Sequence, residues 1–363
     1  MKARILLFVV TLVMSACTHS GGFARLPEGE QTATLRPVFF ATTRQTDQLP
    51  FGSKRSRQSH YGLIDVSIPP AHEAGNIEWP NSKPNPQKHF LVSNTKSYRG
   101  GPELRSDLNK ALAGANSKNR DVIIFVHGFN NRFSDGVYRI AQMSHDMGLP
   151  GVVMSYSWPS AANPLGYAYD RDSALFARDG LRRMIEEVSK SNVNNIILVA
   201  HSLGSMVTME TLRELGISGN TKVLNRIGGV VLMSPDLDLD LFKTQADAIG
   251  ELPDPFIIFS SKKDRALRLI ERLTGQKNRL GRLTDVSEIS DYEITYIDVT
   301  AYSEGGTNHF ATARSAALLK LLGQIPDLDS ALSGDGGRTG LLPGTILSVQ
   351  NVTELILSPV VAR

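Results

Sequence analysis

Ile196-Ile197-Leu198-Val199-Ala200-His201-Ser202-Leu203-Gly204 reads as a buried strand that runs directly into a sharp turn and then a helix. The apolar run is short and rich in isoleucine and valine, which is a strand pattern, and Ser202 to Leu215 continues with helical spacing. Ser202 stands at the turn, with Ala200 two positions before it and Gly204 two positions after. A strand that bends this sharply into a helix is strained, so only tiny side chains fit on either side of its apex. Glycine is usual at the first of those positions, and alanine meets the same steric demand. The bend lifts the apical hydroxyl above the sheet edge, where a helix N-terminus favours developing negative charge. Ser202 is therefore the candidate nucleophile.

Outward from this point, short apolar runs repeat along the chain. Pro37 to Ala41, Gly62 to Ile68, Val122 to Val126, Val152 to Tyr156, Asn195 to Ala200, Ile227 to Met233, Pro255 to Ser260 and Ile294 to Val299 all read as strands. Helical patterns follow the later ones, at Asp135 to Met147, Asp172 to Ser191, Ser202 to Leu215 and Asn308 to Leu322. Strands alternating with helices predict a mostly parallel, eight-stranded sheet flanked by helices, with the helix-poor start of the chain as its antiparallel edge. The proline- and asparagine-rich stretch Trp79 to Pro86 reads as a surface excursion. The expected organisation is a leader over residues 1–17, a tether over 18–34, one catalytic-type domain over 35–323 and a C-terminal extension over 324–363. That extension begins with flexible Ser333 to Gly337, and Thr345 to Leu357 is apolar enough to dock somewhere.

Composition excludes more than it selects. The 363 residues are 41% hydrophobic and 21% charged, an ordinary globular profile, and a formal charge of +3 gives no reason to expect a nucleic-acid partner. No metal-ligand spacing, phosphate loop or dinucleotide glycine pattern is present, so a cofactor-free mechanism is expected.

Three further groups complete the chemistry of a serine nucleophile. His127-Gly128-Phe129-Asn130 follows the third predicted strand and resembles the loop that supplies half of the oxyanion hole in lipases and esterases. The backbone amides of Phe129 and Leu203 would then stabilise the tetrahedral oxygen, each worth about 3 kcal/mol in the transition state. His127 itself reads as a helper that steadies the loop. The elbow architecture orders its groups serine, acid, histidine along the chain, and His309 is the only one of eight histidines after Ser202. For the acid, Asp264 after the seventh strand is favoured over Asp236 after the sixth, from loop placement.

Phe40-Ala41-Thr42-Thr43-Arg44, His127-Gly128-Phe129-Asn130, Ser157-Trp158-Pro159-Ser160, Ala200-His201-Ser202-Leu203-Gly204 and Asp264-Arg265-Ala266-Leu267 together resemble one bacterial group of α/β-hydrolases, esterase- or lipase-like and largely uncharacterised. The resemblance spans roughly Leu35 to Gly323. It implies an α/β-hydrolase fold and a serine mechanism, and it supplies no substrate. On this reading Ser202, Asp264 and His309 cleave a small acyl ester; an amide or thioester is the alternative, and a non-catalytic interaction protein on the same fold a second one.

The N-terminus adds an address. Lys2 and Arg4 precede an apolar run from Ile5 to Met14, too short for a comfortable membrane span of roughly 20 residues. Met14-Ser15-Ala16-Cys17 resembles a bacterial lipobox, with Met14 in place of the usual leucine, and Cys17 is the only cysteine. The expectation is a lipid-anchored protein of the cell envelope, on the outer membrane in a two-membrane cell given Thr18; a plain signal, with a periplasmic or secreted product, is the alternative. Lys262 to Arg282 is strongly basic and reads as a solvated helix face or as a basic rim beside the catalytic loop. Trp158 is read either as packing or as part of an acyl pocket, and Asp170 as a helix cap. The oligomeric state is open.

Overall fold

The computed structural model describes residues 22–30, 34–45, 51–275, 278–302, 309, 344–349 and 352–357. The leader, including Cys17, and the expected helix Asn308 to Leu322 lie outside these residues, apart from His309. In chain order the strands are β1 Thr34–Arg44, β2 Arg55–Ile68, β3 Leu91–Tyr98, β4 Val122–Val126, β5 Val152–Ser157, β6 Ile196–His201, β7 Ile227–Met233, β8 Phe256–Ser260, β9 Ile294–Asp298, β10 Gly344–Val349 and β11 Val352–Leu357. The helices are α1 Gly101–Ala113, α2 Phe133–Asp146, α3 Tyr167–Ser189, α4 Leu203–Ile217, α5 Thr221–Leu224, α6 Leu239–Ile249 and α7 Arg265–Thr274.

All strands join one sheet in the order β10-β11-β9-β8-β7-β6-β4-β5-β1-β2-β3. From β11 to β1 the pairing is parallel, and β2, β3 and β10 add antiparallel partners at the two edges. The central strands are buried on both faces, as parallel strands must be. Val122, Ile124 and Val126 of β4 pack beneath α1, α3, α4 and α6, while Ile123 and Phe125 face the opposite core with Phe133, Val137 and Ile140 of α2. Each such aliphatic side chain contributes roughly 1.5–3 kcal/mol by leaving water.

The sheet has eleven strands where the sequence patterns predict eight. β3 carries Ser93, Asn94, Thr95, Lys96 and Ser97, so it shows no apolar run; an outermost strand needs little burial to form. The C-terminal hairpin of β10 and β11 docks on β9, pairing Leu355 with Ile297, so part of the expected extension continues the same sheet. Part of the expected tether is also fixed. Val92 exchanges backbone hydrogen bonds with Ala24 and Leu26 at 2.9 and 2.8 Å, and Phe23 packs edge-on against Phe133. Residues 69–90, which include the expected excursion Trp79 to Pro86, form no helix or strand, and the segment after Asp236 holds α6, whose Phe242 and Ala246 are core residues.

Candidate active site

The elbow is built as its sequence demands. Ser202 has φ 52° and ψ −123°, a backbone region that residues other than glycine rarely enter. Its N–H donates to the Met233 carbonyl at 3.0 Å, and its own carbonyl accepts from Ser205 at 2.9 Å and Asp236 at 3.1 Å. Such strain, of order 1–3 kcal/mol, persists only where neighbouring bonds over-determine it. A Cβ on Gly204 would sit 2.4 Å from the Val126 carbonyl oxygen, so α4 reaches its seat against β4 only with glycine there. Ser202 is fully buried, and its Oγ makes no hydrogen bond among the described residues.

Asp264 lies after β8 and caps α7. Its Oδ1 accepts from the Leu267 amide at 3.0 Å, and its Oδ2 faces His309 Nδ1 at 2.7 Å. A carboxylate only accepts, so the proton in this bond belongs to Nδ1 and the lone pair is left on Nε2. Burial works against a charged His309, but the charge and hydrogen bond of Asp264, with a smaller effect of Asp236, hold its pKa above the ordinary histidine value. Asp236, the competing acid, is engaged elsewhere. Tyr167 donates its hydroxyl to Oδ2 at 2.8 Å, and Arg279 Nη1 lies 3.1 Å from Oδ1 with both side chains buried.

One residue beside His309 carries a role that the motif does not announce. His201 Nε2 lies 3.1 Å from the His309 carbonyl, and the two rings meet edge-on at 4.7 Å. Burial, with the neighbouring His309, keeps His201 well below the ordinary histidine pKa, so it serves as a neutral donor to the backbone at His309.

The loop after β4 presses against the serine. A Cβ on Gly128 would lie 2.8 Å from both Ser202 Cβ and His201 Nδ1. Leu203 opens α4, so its N–H has no acceptor within the helix. Phe129 is held edge-on against Tyr167 at 5.4 Å. Beneath the loop His127 is buried and stacks on Trp158 at 4.7 Å, with Nδ1 2.9 Å from the Gly128 carbonyl and Nε2 3.1 Å from that of Trp158. Burial, and then the charge of Arg44, lower the pKa of His127 to about 3, so it stays neutral and structural. Trp158 is fully buried and donates to the His127 carbonyl at 2.6 Å, which makes it packing and not a pocket wall.

Arg44 and Asp170 explain why the other motifs travel with this loop. Buried Arg44 donates to the carbonyls of Asn131 (2.8 Å), Gly52 (3.0 Å) and Ser160 (3.1 Å) and to Ser157 Oγ (2.9 Å). Asp170 accepts from the Asn130 amide at 3.0 Å, Ser160 Oγ at 2.6 Å and the Ala161 amide at 2.6 Å, so it clamps two loops as well as standing in the first turn of α3. Its clamping role has no local signature, because its partners lie in other segments.

The basic stretch divides. Lys263, Arg265, Arg268 and Arg272 are exposed around α7, beside exposed Leu269 and Leu273. Arg279 instead pairs with buried Asp236, Arg282 with Glu271, and Lys262 with Asp298 at 3.3 Å. No helix among the described residues is long and apolar enough to cross a membrane.

Comparison with known proteins gives the family. No curated protein matches the sequence. Among solved structures, the chain is similar to an esterase from Rhizomucor miehei at 11% identity, covering 83% of this chain and 84% of that one, with a TM-score of 0.37. It is also similar to Aspergillus fumigatus lipase B at 12% identity and a TM-score of 0.29, over 41% of this chain and only 39% of the lipase. A family model described as "Alpha/beta hydrolase of unknown function (DUF900)" matches residues 102–324, well over half of the chain, and the protein belongs to that α/β-hydrolase family.

Proposed function

We propose that this protein is a serine hydrolase of the cell envelope that cleaves carboxylic esters of small acyl groups. Ser202 Oγ attacks the carbonyl carbon while His309 Nε2 takes its proton; the ring then returns that proton to the leaving alkoxide, and water repeats the sequence on the acyl-enzyme. Asp264 keeps the ring in the accepting tautomer and stabilises the imidazolium. The amides of Phe129 and Leu203 receive the oxyanion. The observation that carries this reading is the 2.7 Å contact of His309 Nδ1 with Asp264, on a chain whose Ser202 stands on a strained elbow. An amide or thioester substrate would use the same groups; the ester is favoured over the amide because its leaving group needs less help from an acid, and the thioester is an outcome of the test. A fluorophosphonate probe tests the mechanism, and a panel of acyl esters, amides and thioesters the substrate class. Wild type should label and turn over esters fastest; Ser202→Ala should do neither while remaining folded. Equal labelling of both forms would move the nucleophile elsewhere.

The envelope assignment rests on Lys2 to Cys17. A lipid on Cys17 gains about 0.8 kcal/mol per buried methylene, so more than one acyl chain gives lasting attachment. In a bacterial host the wild type should take up labelled fatty acid and sediment with membranes, and Cys17→Ala should do neither. Mass spectrometry showing an unmodified Cys17 would replace this with the secreted form and leave the hydrolase reading intact.

A further inference from the structure

His72, His145 and Asp146 meet where the 69–90 excursion crosses the end of α2, and the geometry points to a zinc-type divalent metal site there. One ring nitrogen of each histidine and an Asp146 oxygen lie within 4.8 Å of one another. Tetrahedral zinc with bonds of roughly 2.0–2.1 Å spaces its ligand atoms about 3.3 Å apart, so side-chain shifts of about 1 Å would suffice. The supports of a metal site are in place. His72 Nδ1 is 2.8 Å from Glu78 Oε2, the carboxylate contact that orients a metal-bound imidazole. Its Nε2 is 2.7 Å from Asp146 Oδ1, where an ion would replace a proton, and Asp146 Oδ2 is fixed by the Gly75 amide at 2.7 Å and by Gln142. His72 and Asp146 expose only 5% and 3% of their side chains. The remaining histidine supplies the independent sign: His145 Nδ1 is buried and makes no hydrogen bond among the described residues, a cost that a structural role in packing would not require. Two imidazoles and a carboxylate suit zinc better than calcium or magnesium, and the last turn of a helix favours a cation.

The site lies away from the elbow. α2 starts after β4, near Ser202, and at 1.5 Å per residue its 14 residues carry His145 and Asp146 about 20 Å along the helix. An ion there would pin the excursion to α2 without touching the hydrolytic groups. The test uses the full-length, tag-free protein after chelator treatment, titrated with Zn²⁺ by calorimetry and checked by elemental analysis. Wild type should bind one equivalent and show a zinc-dependent rise in Tm. His145→Ala removes no hydrogen bond seen among the described residues, so it should fold; its zinc affinity should fall at least a hundredfold, its Tm should no longer respond, and its ester turnover should be unchanged. Substoichiometric binding by the wild type, or equal binding by His145→Ala, would overturn the site and leave the hydrolase mechanism untouched.

Discussion

Replacing Asp264 by asparagine separates two tasks held by one carboxylate. Oδ1 accepts from Leu267 and caps α7, while Oδ2 holds His309 Nδ1 at 2.7 Å. Asparagine has one acceptor oxygen and one donor nitrogen, and it caps a helix about as well as aspartate. If the oxygen stays on Leu267, the amide N–H₂ must face the histidine. That forces the ring proton onto Nε2, the tautomer that cannot accept from Ser202. The loss should be about ten-thousandfold in turnover, or roughly 5.5 kcal/mol of transition-state stabilisation, because geometry survives and only the tautomer is wrong. Asp264→Ala should lose as much turnover and about 1 kcal/mol more stability, since the cap goes too. The assay is kcat on a short-chain acyl ester, with urea unfolding run alongside. An Asp264→Asn enzyme that keeps more than a tenth of wild-type turnover would refute the orienting role. Asp264→Asn and Asp264→Ala unfolding at the same urea concentration would refute the division of labour between the two oxygens.

Asp236→Asn should act on stability and not on chemistry: it removes a buried negative charge facing Arg279, a loss of up to about 3–5 kcal/mol, while kcat per folded molecule stays within tenfold, measured by unfolding and active-site titration. Because attack needs neutral His309 and its pKa is raised, the acid limb of kcat/KM should fall above about pH 6.5, and in the residual activity of Asp264→Asn it should move to lower pH. The same raised pKa favours the folded state below about pH 6.5 and stops doing so as pH climbs through the folded value, so comparing unfolding of wild type and His309→Gln at pH 5.5 and 9 should show the larger difference at pH 5.5. Gly204→Ala should lose the elbow altogether, read as loss of probe labelling, since its Cβ would overlap the Val126 carbonyl. Asp170→Asn should lower kcat more than it changes KM, because the loop bearing Phe129 loses the acceptor that holds Asn130 and Ser160.

Local demands are legible in a linear sequence. A strained bend needs Ala200 and Gly204 around Ser202, a doubly covered strand needs the unbroken apolar run of Val122 to Val126, and chain order leaves His309 as the one histidine after the serine. These signals predicted the parallel centre of the sheet, the elbow and the residues now proposed for catalysis. Tertiary structure decided what depends on distant partners. β3 and the β10–β11 hairpin exist because a neighbouring strand offers hydrogen bonds, which apolar spacing does not record. Asp236 met Arg279 and Asp264 met His309, and the proposed choice between the two carboxylates rests on that difference. Asp170 reads in the sequence as a helix cap and Arg44 only as part of a motif, yet each bonds groups tens of residues away beneath the loop that follows β4. A turn or a strand is specified by its immediate neighbours, whereas the role of a buried charge is fixed only when folding brings its partners within about 3 Å.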